Sequence, residues 1–179
     1  MKSFVLAFLL AGRALAQSEI DTIYNEDQKD REANPTGIAA VTKIIERDAG
    51  HRKRVRDLLA AGALTSGKDF EKAAYVFQHG DTSDDFLLAH ILAMVAVKKG
   101  NGDAIWIAAA TLDRYLNKIG KAQVLGTQFH FENDSPWTQE PYDRALISDA
   151  LRRALNVPIM AEQAKTLEEM KKAQAAASK

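Results

Sequence analysis

From Ser18 to Glu32, the residues Ile20, Ile23, Tyr24, Asp27, Gln28 and Arg31 recur at offsets of 3, 4, 7, 8 and 11, the spacing of one helix face. That face begins apolar and turns polar halfway along. Asn34-Pro35-Thr36-Gly37 ends the element, because proline lacks an amide donor and glycine permits a turn. Ile38 to Arg47 is a weaker helical stretch. Asp48 is placed to cap a helix running to Ala61, with Val55, Leu58 and Leu59 inward and Gly62 as its stop. Thr65 to Asp69 reads as a loop and cap before a helix from Phe70 to His79, which is apolar on nearly every side and therefore central. Gly80 ends it, and Asp81-Thr82-Ser83-Asp84 caps the next, along which Leu87, His90, Ile91, Met94, Val95 and Lys98 follow helical spacing. Gly100-Asn101-Gly102 closes that helix. The following one, Ala104 to Ile119, is apolar except at Asp113-Arg114 and stops at Gly120. Helices joined by turns this short are predicted to pack as antiparallel neighbours.

The texture changes after Gly120. Thr127 to Glu132 alternates apolar and polar residues, Asn133-Asp134-Ser135-Pro136 is a turn signal, and Trp137 to Glu140 reads as a returning strand, which predicts a small β-hairpin near 127–140. Ser148 caps a short helix to Leu155, Asn156-Val157-Pro158 breaks it, and a last helix runs from Ile159 to about Ala173. The alanine-rich tail 173–179 is expected to fray. The pattern as a whole predicts a mainly α protein: one helical domain over 17–172, built as a compact antiparallel helical bundle with one small hairpin. Helix pairs of tetratricopeptide-like type are compatible with it, although no repeat recurs at a fixed period.

The first sixteen residues stand apart. Met1-Lys2 supplies a positive start, Phe4 to Ala11 an apolar run, and Ala14-Leu15-Ala16 a small-x-small site before Gln17, the signature of a secretory signal peptide. The apolar run is too short for a membrane anchor, which needs about 20 residues. The expected product is exported to the periplasm or the medium, with no membrane attachment after cleavage. Removing Lys2 and Arg13 takes 24 basic groups to 22 against 24 acidic ones, so the neutral chain becomes a domain of net charge −2. That balance speaks against a nucleic-acid partner. The chain has no cysteine, which excludes disulfides, thiolate metal sites and a thiol nucleophile.

Candidate chemistry therefore rests on Asp, Arg, Gln and His. His51, His79, His90 and His130 fall on four predicted elements with no HExxH or HxH spacing, so neither a metal ligand set nor a cofactor is expected. His90, between Leu87 and Met94, reads as a hydrogen-bonded core imidazole. His79 sits in the last turn before Gly80, where it either meets the helix dipole or acts in catalysis. Asp113-Arg114 interrupts the most apolar helix, and Asp27, Gln28 and Arg31 continue the inward stripe of the first. If both faces turn to one place, they line a cleft with two carboxylates, two guanidinium groups and an amide. The basic run His51-Arg52-Lys53-Arg54-Val55-Arg56 reads as a solvated helix face.

The order Asp27-Gln28-x-x-Arg31, Ala73-Ala74-Tyr75-Val76-Phe77-Gln78-His79-Gly80, Ala89-His90-x-Leu92-Ala93, Asp113-Arg114-Tyr115-Leu116 and Gly120-Lys121-x-Gln123-x-x-Gly126-Thr127-Gln128 resembles an uncharacterised bacterial family, catalogued as domain of unknown function sixty-six twenty-four. Ser148-Asp149-x-x-Arg152-Arg153-Ala154-Leu155-x-Val157-Pro158-x-x-x-Glu162-Gln163 is similar to the end of its members. The resemblance covers roughly Ile20 to Leu167, with Leu125 standing where the pattern has an aromatic residue. It brings no activity or cofactor. It implies that Asp27, Gln28, Arg31, Gln78, His79, Asp113, Arg114, Gln123 and Gln128 are motif positions. Two expectations follow from these residues. One is a non-catalytic module that binds a small polar or anionic ligand, or a protein, with the polar residues as a buried network. The other is a cofactor-independent hydrolase or lyase in which His79 is the general base or acid, Asp113 or Asp27 orients it, Arg31 and Arg114 clamp an anion, and Gln123 or Gln128 donates to an oxyanion.

Overall fold

The first helix, α1 (19–32), buries Ile20, Ile23 and Asp27 on the face that the sequence pattern marks as inward. The computed structural model describes residues 19–33, 36–132 and 135–177. The expected signal peptide, the Asn34-Pro35 stop and the Asn133-Asp134 turn lie outside them. Seven further helical elements follow. They are α2 (Ile38–Ala60), α3 (Gly67–Phe77), α4 (Ser83–Lys98), a 3-10 turn (Gly102–Ala104), α5 (Ile105–Lys118), α6 (Asp149–Ala154) and α7 (Met160–Ala177). The chain is thus mainly helical, and it divides between Ala104 and Ile105 into two units.

In the first unit, α2 runs unbroken through the point where Asp48 was expected to cap a new helix. No proline interrupts 38–60, and the Asp48 carboxylate takes an arginine from α1 in place of backbone amides. The inward residues of α2 are Ile44, Asp48, His51, Val55 and Leu58, alternating steps of four and three. Contacts between α1 and α2 pair Glu19 with Arg54, Glu26 with His51, Asp30 with Arg47 and Arg31 with Asp48. From Glu19 to Arg31 along α1 the partners fall from Arg54 to Arg47 and Asp48 along α2, so the two are antiparallel. Between α1 and α3 the order is the same on both: Asp21 with Lys72, Tyr24 with Tyr75, Asp27 with His79. These two helices run parallel.

Ser66 caps α3 by accepting the Asp69 amide at its hydroxyl, and its own amide donates back to the Asp69 carboxylate, a capping box; Thr82 caps α4. Helix α4 turns Ala89, Leu92, Ala93 and Ala96 inward, while Leu87, Ile91 and Met94 are exposed. This reverses the face suggested by the larger side chains. A helix apolar all round carries no orientation signal, and small alanines permit the close approach to α3, whose Ala73, Ala74 and Phe77 are fully buried.

In the second unit, Ala109, Leu125 and Val157 are buried together, with Leu112, Val124, Ile147 and Leu155 packed against them. Ser148 caps α6 as expected, and α7 continues to Ala177 through much of the alanine-rich segment expected to fray. The β-hairpin near 127–140 is absent: no strand forms among the described residues. Pairing is confined to single bridges, His130 with Thr138 and Gln123 with Tyr142. The physical reason is that side chains take the backbone groups a ladder would have used.

Candidate functional site

That competition is clearest around Asp113. Fully buried on α5, its Oδ1 accepts the amides of Val124 and Leu125 at 2.8 and 3.0 Å, and its Oδ2 accepts the amide and hydroxyl of Thr127 at 3.0 and 2.8 Å. Gln123 Nε2 donates to the carbonyls of Gln128 and Gln139, while its Oε1 accepts the Gln128 amide at 3.0 Å. Gln128 Nε2 donates to the Ala110 carbonyl at 3.2 Å. Gln139 Nε2 donates to the Gly126 carbonyl and Gln163 Nε2 to that of Leu125, at 2.7 and 2.8 Å. The corner 123–128 is therefore held by one carboxylate and four amide side chains, with Asp113, Gln139 and Gln163 acting from outside it and Gln123 and Gln128 belonging to it. Of these, sequence reasoning passed over Gln139 and gave Gln163 no role beyond its place in the family motif. Gly126 has φ +76°, and a Cβ there would stand 2.0 Å from Gln163 Oε1, so only glycine fits beneath the amide.

Arg114, next to Asp113, forms no ion pair with it among the described residues. Its Nε is buried with no hydrogen-bond partner there, and burial lowers the guanidinium pKa from its ordinary value. Arg152 is fully buried as well, with Nη1 donating to the Val124 carbonyl at 3.3 Å.

The first unit gathers a different set. Asp27 is 0 % exposed, and His79 Nδ1 lies 3.0 Å from each of its oxygens. A carboxylate only accepts, so this contact places the imidazole proton on Nδ1 and leaves Nε2 as the basic nitrogen. Gln28 Nε2 donates to Asp27 Oδ2 at 2.9 Å, and Arg31 Nη2 stands 3.7 Å from Oδ1. Arg31 Nη2 donates at 2.6 Å to Asp48 Oδ2. His51 Nε2 lies 3.2 Å from Glu26 Oε2. Gln78, the remaining candidate, ends α3 by donating its backbone amide to the Ala74 carbonyl at 2.9 Å.

No protein-family model, no curated protein and no solved structure matches the chain.

The structure thus brings Asp27, Gln28, Arg31 and His79 into one cluster and adds Asp48 and His51. Sequence reasoning had assigned these two to a cap and to a solvated basic face. The missed signal is positional: 48 and 51 fall between the apolar 44 and 55 on the inward stripe of α2. Of the basic run, Lys53, Arg54 and Arg56 are exposed as expected, whereas His51 and Arg52 turn inward. Arg52 Nη1 donates to the His79 carbonyl at 2.9 Å, and Arg56 donates to Asp85 at 2.7 Å while lying 4.8 Å from the centre of the Phe77 ring. His90 is half-buried on α4.

Proposed function

We propose that this is an exported, mainly helical, non-catalytic binding module of the bacterial family named above, whose cluster on α1, α2 and the turn after α3 receives a small polar or anionic ligand or a protein side chain. One observation carries the reading: both amides the catalytic alternative offers as oxyanion donors, Gln123 and Gln128, and one of its two orienting carboxylates, Asp113, are engaged by backbone groups at 110, 123–128 and 139. Groups that hold a loop in shape are not available to orient a base or meet an oxyanion. The export part rests on the positive start, apolar run and cleavage-like site of the first sixteen residues. The parallel α1 and α3, each followed by a further helix, agree with tetratricopeptide-like pairing, an analogy of form only.

A second reading, a hydrolase or lyase, draws on the Asp27–His79 contact, in which a buried carboxylate orients an imidazole as in acyl-transfer enzymes. Thermal-shift screening of the purified chain against anionic metabolites, with hydrolysis of generic ester and phosphoester substrates run alongside, separates the two. The module predicts a stabilising ligand whose effect is lost in Arg31→Ala, and no turnover. Turnover abolished by His79→Ala would overturn it.

A further inference from the structure

Two acceptors in the α1–α2 cluster have nothing to accept from. Asp48 Oδ1 and His51 Nδ1 are buried and have no hydrogen-bond partner among the described residues, and their parent residues are 6 % and 5 % exposed. The contact of His51 Nε2 with the Glu26 carboxylate puts the neutral ring's proton on Nε2, so Nδ1 presents a bare lone pair. One ligand atom each from Asp27, Asp48 and His51 lie within 4.8 Å of one another. Buried lone pairs without a donor, such as those of Asp48 Oδ1 and His51 Nδ1, cost free energy unless a cation or donor meets them.

We propose that Asp27, Asp48 and His51 bind a divalent transition-metal ion. The donor set, one imidazole nitrogen and two carboxylates, suits zinc, manganese or ferrous iron better than calcium, which takes six to eight oxygens. Ligands on one tetrahedral ion with bonds of about 2.0–2.2 Å stand about 3.3–3.6 Å apart, so closing the site needs side-chain shifts of up to about 1.5 Å. Asp48 and His51 are one helical turn apart on α2 and project together. Each ligand already has a partner behind it: Arg31 on Asp48, Glu26 on His51, and Gln28 with His79 on Asp27. Such outer contacts orient metal ligands and fix their tautomers. Arg31 neutralises only one of the two carboxylates, which leaves a negative site for the cation. Three protein ligands leave at least one coordination position open.

The test uses the full chain stripped with chelator and titrated separately with zinc and manganese, followed by calorimetry, native mass spectrometry and thermal unfolding. Cobalt substitution adds a visible ligand-field band. The expected result is one ion per chain, a raised melting temperature, and affinity lowered more than about tenfold in both His51→Ala and Asp48→Asn, with a changed cobalt spectrum. Glu26→Gln, whose side chain is 53 % exposed, leaves the fold intact and weakens binding about 10–100-fold. No bound ion, or binding untouched in Glu26→Gln and in whichever of the other two variants folds, overturns the site. The metal site shares Asp27 and its neighbour Arg31 with the cluster proposed above, an anionic ligand there meeting the ion's open coordination position. A chain without metal affinity leaves that function standing, and one that binds metal but turns over ester substrates overturns that function alone.

Discussion

Asp113 and Arg114 are adjacent in sequence and unlike in what they do. Asp113 accepts three backbone amides and a hydroxyl, so Asp113→Asn replaces one accepting oxygen by a donor facing other donors. The expected loss is about 2–4 kcal/mol in urea unfolding, the scale of leaving buried donors unsatisfied. Arg114→Met, by contrast, removes a guanidinium whose Nε has no partner among the described residues, and stability is expected to stay within about 1 kcal/mol. The inward placement of Asp27 and Arg31 was legible, because helical period alone assigns the face. The roles of Asp48 and His51 were not. A carboxylate before an apolar stretch fits a cap equally well, and a histidine leading a basic run fits a solvated face.

At the scale of elements, α1 and α2 are joined by a row of ion pairs that flanks the buried cluster. The contact most open to a pH test is Asp30 with Arg47, whose Nε and Nη2 each reach the carboxylate at 2.7 Å. The hydrogen-bonded guanidinium holds the Asp30 carboxyl below its ordinary value of 3.8. The unfolded chain therefore takes up this proton first as pH falls, and the contribution to stability is full above 3.8 and lost as pH drops through the lower folded value. Melting curves of wild type and Asp30→Asn should differ at neutral pH and converge below that range; a constant gap would contradict the assignment.

The segment 123–142 carries the other element-scale prediction. Gly126→Ala sets a methyl against Gln163 and Tyr142 in a left-handed backbone, with an expected loss of about 3 kcal/mol or more. Gly62→Ala, at φ +62° with nothing near its Cβ, should lose only about 1 kcal/mol. Equal losses in denaturant unfolding would mean that the glutamine-capped corner is not what requires glycine at 126. The expected hairpin failed here for a reason alternation does not encode. Gln123, Gln128, Gln139, Gln163 and Asp113 come from four parts of the chain, and they satisfy the local backbone before a second strand can.

Across the whole molecule, the charge balance is a statement about processing. With export, the protein isolated from its native compartment should begin near Gln17 and carry the slightly acidic balance of −2; an intact mass that retains Lys2 and Arg13 would refute the signal reading. No helix among the described residues is long and apolar enough to cross a membrane. Each of the two units organises its own polar interior, the first around Asp27 and the second around Asp113. The sequence alone determined the mainly helical character, the cap at Ser148, the capping segments 65–69 and 81–84, and the inward turn of α1's polar half, because these depend on local period and local hydrogen bonds. Only the tertiary structure decided which face of α4 is buried, that α2 is one helix, and which partners the inward polar groups meet. Those outcomes depend on long-range contacts, where a side chain distant in sequence competes with the backbone for the same donors and acceptors.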